Sequence, residues 1–121
     1  AEYLGKSVLR EVDEDEFMKN IADIRSSCGD RAVLRAMHFY GDNARVEKQA
    51  AALKAGDFET FKKYIIESGR SSYMYNQNVY SCKKASEQPV SLALSLSEKL
   101  LDGCGASRVL RRNNSGLCTA Q

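Results

Sequence analysis

Apolar residues recur at helical spacing in four stretches, separated by glycine, aspartate and serine. The first stretch runs from about Asp13 to Cys28, with Phe17, Ile21 and Ile24 at i, i+4 and i+7 on one face. Its first turn is acidic (Asp13, Glu14, Asp15, Glu16), which suits the positive end of a helix dipole, and Gly29 is a natural stop. Asp30 reads as the N-cap of a second helix. Ala32, Ala36, Phe39, Val46, Ala50 and Leu53 share one of its faces, and Gly56 ends it. Gly41 interrupts that helix at a cost of about 1 kcal/mol relative to alanine and predicts a bend. Asp57 caps a third helix, striped by Phe58, Phe61 and Ile65 with Tyr64 beside them, ending near Gly69. The short link between the second and third helices predicts an antiparallel hairpin. Ser86 caps a fourth helix, and Pro89 falls in its first turn, where a missing N–H costs little. Leu92, Leu96 and Leu100 form its stripe, widened by Ala93 and Leu101, and Gly103 and Gly105 stop it.

The segments between these helices are less regular. Residues 1–12 have no capping signal ahead of them and read as the tail of a helix begun upstream of Ala1. Residues 70–85 are polar, with Tyr73, Tyr75 and Tyr80 among serines and asparagines, and predict a loop or broken turn. Ala106 to Leu110 suits the start of a strand. Residues from Arg111 to Gln121 have no period of either kind and the composition of an unfolded end.

Composition narrows the class. A chain of 121 residues with 43% hydrophobic residues, 28% charged residues and a net charge of +2 suits one soluble globular domain rather than a disordered tail. No apolar run approaches the length of a membrane span, and no secretory leader is visible. Residues 103–121 hold Arg108, Arg111 and Arg112 and no acid. That is a weak basic stripe, and no nucleic-acid partner is expected from it. The cysteines, Cys28, Cys82, Cys104 and Cys118, form no CxxC pair. Four cysteines make two disulfides arithmetically possible, but with a single histidine in the chain and no dense disulfide scaffold, free thiols in a reducing compartment are expected rather than a zinc site.

Candidate chemistry is sparse. His38, the one imidazole, sits mid-helix near Arg35 and Asp42, and a structural or solvent-facing role is favoured over that of a catalytic base. The acids at 13–16 lack the spaced loop geometry of a calcium site and read as a solvated helix start. Ser68, Gly69, Arg70, Ser71 and Ser72 form a polar turn able to meet a phosphate, though a plain helix exit fits better. Cys104, between Gly103 and Gly105, has no histidine nearby in sequence to activate it. No GxxxxGKS or GxGxxG loop occurs. The residues alone therefore mark no catalytic, substrate-binding, nucleotide-binding or metal site.

The stretches VLREVDEDEFMKNI, CGDRAVLRAMHFYGDNARVEKQAAALKAGDFETFKKYIIESGRSS, QNVYS and EQPVSLALSLSEKLLDGCGASRV resemble, in that order, the C-terminal half of bacterial galactokinases of the GHMP sugar-kinase superfamily. The resemblance runs from Val8 to Val109. It implies an ATP-dependent kinase that phosphorylates the C1 hydroxyl of galactose with magnesium in the cytoplasm. It also implies a fold: a mostly α, four-helix segment of an α+β C-terminal domain, residues 1–109, with most of its sheet strands missing.

The family's galactose signature, its catalytic aspartate, its phosphate loop and its sugar-contacting tyrosine would lie upstream of Ala1. A glycine-rich motif, roughly His-Gly-Gly-Gly-Phe-Ala-Gly, would follow Arg108 and Val109. Here the chain reads Leu110, Arg111, Arg112, Asn113, Asn114, Ser115, Gly116, a pattern that a frameshift with a premature stop, a divergent natural terminus or an assembly error in the gene model would give alike. Residues 110–121 thus form a tail unlike the family. The expected product is a catalytically incomplete galactokinase fragment that binds no cofactor itself. Its expected partners are a second copy, through an exposed apolar helix face, or the missing N-terminal half of the kinase. A helical interaction module without enzymatic activity is the alternative. No membrane partner is expected.

Overall fold

A computed structural model describes residues 1–109. Two short 3-10 turns, Glu2–Leu4 and Leu9–Glu11, precede five α-helices. These are α1 (Glu14–Lys19), α2 (Ile21–Cys28), α3 (Asp30–Lys54), α4 (Phe58–Ser71) and α5 (Pro89–Leu100). A π-helical turn, Ser72–Asn76, prolongs α4. There is no strand among the described residues, so the expected strand start at 106–109 is irregular chain instead. The unfolded end expected for the last residues, with Leu110, Arg111, Arg112 and Cys118, lies outside the described residues.

Local chemistry explains where the elements depart from the sequence pattern. The helix expected over residues 13–28 is split at Asn20. Its backbone leaves the helical region (φ −102°, ψ 12°), and its side-chain amide donates to the Glu16 carbonyl at 2.8 Å. Asn20 thereby competes with the regular ladder. Asp13 does cap α1, accepting from the Asp15 amide at 2.9 Å. Asp30 is the first residue of α3 rather than its cap, which is Gly29 at φ 82°; the Asp30 carboxylate pairs with Arg25 instead. α3 runs unbroken through Gly41. A Cβ there would lie 3.3 Å from both terminal nitrogens of Arg45, so the glycine makes room for a guanidinium rather than a bend. Asp57 caps α4 as expected, accepting from the Thr60 amide at 3.0 Å. Residues 70–76 are helical and not loop. Gln88, not Ser86, stands at the N-cap of α5, and its side-chain amide is held by the backbone of Ser81 and Ala85. Residues 1–12 form the two 3-10 turns and not the end of a longer helix.

α3 is the spine. At about 1.5 Å per residue its 25 residues span about 38 Å. On its N-terminal half Val12, Phe17, Ile24, Val33 and Ala36 are buried together. Phe17 packs against Tyr40 with the rings tilted at 43° and their centroids 5.5 Å apart, and the Tyr40 hydroxyl donates to the Val12 carbonyl at 3.0 Å. α4 runs antiparallel along α3. His38 meets Ser71, Asp42 meets Ser68, and Lys48 lies over the Tyr64 ring, so residue numbers rise on one helix as they fall on the other. This is the predicted hairpin.

The expected α3 stripe is only partly inward. Ala36 is buried, whereas Val46 and Leu53 are more than half exposed, and Val33 and Ala52 take their places. Phe58 is also exposed. On α5 the leucine stripe faces outward: Leu92, Leu96 and Leu100 are 60%, 51% and 80% exposed. The half-buried positions are Ser91, Leu94 and Ser97, with the Ser91 hydroxyl on the Val79 carbonyl at 3.0 Å. Cys28 and Cys104 are free and exposed. Cys82 is disulfide-bonded, which corrects the expectation of free thiols at that position.

Candidate functional site

The described residues bring five polar side chains together around one carboxylate. His38, Asp42 and Arg45 lie at i, i+4 and i+7 on α3, and Ser68 and Ser71 face them from α4 at i and i+3, the spacing that puts residues on one helix face. Arg108 reaches in from the chain that follows α5. The Ser68 hydroxyl donates to Asp42 Oδ1 at 2.5 Å, and Arg45 Nε donates to the same oxygen at 3.2 Å. Asp42 Oδ2 is shared: His38 Nε2 and Arg108 Nη2 each stand 3.8 Å from it. His38 Nδ1 lies 2.9 Å from the Ser71 hydroxyl. Ser68 is completely buried and Ser71 nearly so.

The small residues of α4 permit this approach. A Cβ on Gly69 would stand 3.2 Å from Arg108 Cβ and 3.3 Å from the Ser107 carbonyl oxygen, so the chain at 107–108 lies flush on the helix. The run Ser68 to Ser72 is therefore not an open turn able to greet a phosphate. Ser68, Gly69, Ser71 and Ser72 are buried, and only Arg70 is exposed, where it pairs with Glu98 of α5 at 2.8 Å.

The electrostatics follow from crowding. Burial pulls His38 below its ordinary value of 6.5; Asp42 opposes this, and the guanidiniums of Arg45 and Arg108 add to it. Burial alone would raise Asp42. The hydrogen bonds from Ser68 and Arg45, with the charges of His38 and Arg108, more than offset it and hold the carboxyl below its usual 3.8. Arg45 Nη2 and Arg108 Nε are buried without a hydrogen-bond partner, so two cations converge on one anion.

Serine, histidine and aspartate are the residue types of an acyl-transfer triad, but this cluster is not arranged as one. The His38–Asp42 separation of 3.8 Å exceeds a hydrogen bond. Both oxygens of Asp42 face other donors, and Ser71 is closed off from solvent. The arrangement ties three segments of chain together. His38 and Asp42 were legible as neighbours on one helix; Ser68, Ser71, Arg45 and Arg108 were not assigned to them. The available signal was the matched i, i+4, i+7 and i, i+3 spacing of polar residues on two helices joined by a short link.

The other sequence candidates stay apart. Arg35 is exposed and outside the cluster. The acids at 13–16 serve as the start of α1, and no group of three His, Cys, Asp or Glu among the described residues is placed to hold a metal ion. Cys104 is exposed, with its thiol on the Leu101 carbonyl at 3.5 Å. Shallow recesses lie among the described residues. One of about 440 Å³ lies between residues 10–14 and α3 beside Tyr40; another of about 410 Å³ lies between α4 and α5, walled by Tyr73, Met74 and Leu94 and crossed by Arg70 and Glu98. No described helix is long and apolar enough to cross a membrane.

The chain is 41% identical to the galactokinase of Homo sapiens over 71 residues. It is 38% identical to that of Bos taurus over 71 residues and 37% identical to that of Thermotoga petrophila over 68. The human match takes in 59% of this chain and 17% of the human protein, so the chain spans about a sixth of the length of the curated relatives it matches. It carries a galactokinase-like segment. No protein-family model and no solved structure matches it.

Proposed function

We propose that this chain is a piece of an ATP-dependent galactokinase, the enzyme that phosphorylates galactose at C1, and that the piece alone is catalytically incomplete. The observation that supports this reading best is the identity of 37–41% to galactokinases over about 70 residues. On this reading residues 1–109 are the helical part of the α+β C-terminal domain of a GHMP kinase, and ATP and magnesium belong to the intact enzyme in the cytoplasm. Phosphoryl transfer depends on positioning and on neutralising phosphate charge, and the sequence holds no glycine-rich phosphate loop to do so. Incubating the purified chain with galactose and magnesium-ATP is expected to release no ADP above a heat-killed control; release overturns the incompleteness. Sequencing the gene upstream of the Ala1 codon tests the parentage. An in-frame galactose signature and phosphate loop support it, and a self-contained frame with its own start overturns it.

A second reading, a helical self-association or interaction module without enzymatic activity, is favoured by the outward leucines of α5. Leu92, Leu96 and Leu100 present an apolar stripe suited to a second copy or to the rest of the kinase.

A further inference from the structure

Asp42 Oδ2 has two claimants at equal distance, His38 Nε2 and Arg108 Nη2, both at 3.8 Å. They differ in what they anchor. His38 belongs to the α3 spine, whereas Arg108 belongs to the irregular chain after α5. That chain turns at Gly103, in the left-handed region at φ 74°. Its Gly105 amide is held on the Leu101 carbonyl at 2.8 Å. It then lies against α4 at Gly69, where an added Cβ would stand 3.2 Å from Arg108 Cβ and 3.3 Å from the Ser107 carbonyl oxygen. Residues 105–109 are half-buried there, so this strap closes the polar interior of the hairpin.

We propose that His38 and Arg108 compete for this oxygen, so that protonation of His38 releases the 105–109 strap from α4: a latch closed at neutral pH and opened by mild acid. The groups facing His38 are Asp42 and Arg45 on its own helix, Ser71 on α4 and Arg108 on the strap. With the imidazole neutral, one proton on Nε2 leaves Nδ1 to accept from the Ser71 hydroxyl, and of the two groups at 3.8 Å from Oδ2 only Arg108 carries a full charge. A second proton goes on Nδ1, and Ser71 then accepts instead of donating, as a hydroxyl can. The imidazolium now draws Asp42 Oδ2 to itself and repels Arg108, while Arg45 keeps Oδ1. Two positive charges already converge on this carboxylate, and the third displaces Arg108, which stands on irregular chain and not on a helix.

His38 is the only histidine in the chain, so its ring gives a single pair of imidazole resonances in NMR. In the full chain, backbone relaxation of residues 106–109 is expected to report a rigid segment at pH 7.5 and a mobile one at pH 5. The midpoint of that change should coincide with the titration of the His38 ring. In His38→Gln the strap's mobility is expected to be independent of pH over this range. A strap that stays rigid at pH 5, a midpoint that differs from that of the ring, or an unchanged transition in His38→Gln overturns the latch. If His38→Gln does not fold, the two midpoints in the unmodified chain decide alone.

Discussion

The Ser68 hydroxyl meets Asp42 Oδ1 at 2.5 Å with Ser68 fully buried, so a carboxylate joins the middle of α3 to the end of α4. Asp42 is partly shielded, and its partners include Arg45 and Arg108. Removing its charge leaves two largely buried guanidiniums without a counter-ion, the costly way to break such a pair. Asp42→Asn is expected to lower stability by about 2 kcal/mol, read as a lower urea midpoint with an unchanged slope. An unchanged midpoint would show that the cluster contributes no stability.

Stability should also fall in mild acid, with a definite sign. His38 is held below its ordinary value when folded, so the unfolded chain binds its proton first. Stability is then greatest above about pH 6.5, where the unfolded imidazole is neutral, and declines as pH falls through the lower folded value. Asp42 acts in a lower window. Its folded value is depressed, so its contribution is intact above 3.8 and is lost as pH falls through the folded value. Urea midpoints at pH 7.5 and 5.0 should differ in the unmodified chain and differ less in His38→Gln.

Gly69→Ala separates helix propensity from packing. Alanine in a helix interior is worth up to about 1 kcal/mol over glycine, yet its Cβ would stand 3.2 Å from Arg108 Cβ and 3.3 Å from the Ser107 carbonyl oxygen. The expected outcome is near-unchanged global stability with a displaced strap. Limited trypsin digestion should cut after Arg108 several-fold faster than in the unmodified chain; equal rates would show that the strap does not rest on Gly69.

The outward face of α5 bears on association. Leu96→Glu and Leu100→Glu change side chains that are 51% and 80% exposed, so each should alter stability by less than about 0.5 kcal/mol. If the stripe joins two copies, the double variant should run as a monomer in light scattering where the unmodified chain runs as a dimer. A monomeric unmodified chain refutes self-association.

The thiols give a direct chemical check. Alkylation without reductant should label Cys28 and Cys104, both free and exposed, and spare Cys82 until a reductant is added. Labelling of Cys82 in unreduced protein would contradict its disulfide.

The approximate extents of α3, α4 and α5 and the antiparallel hairpin were determined by sequence alone, because periodic apolar residues, Asp57 as a cap and the short link before it are local signals. Galactokinase likeness was also legible in the order of the motifs. Only the tertiary structure decided which faces turn inward. On α3 the inward side holds Val33, Ala36, His38 and Asp42 instead of the full apolar stripe, and on α5 the leucines face solvent, because a helix buries the face its neighbours cover and not always its most apolar one. The Asp42 cluster likewise needed the fold. Arg108 is 66 positions from Asp42, and what brings them together is a glycine on α4 small enough for the strap to lie on it. A sequence records a residue's chemistry and its local spacing, but the partner of a charge is fixed by which segments can approach closely enough to share it.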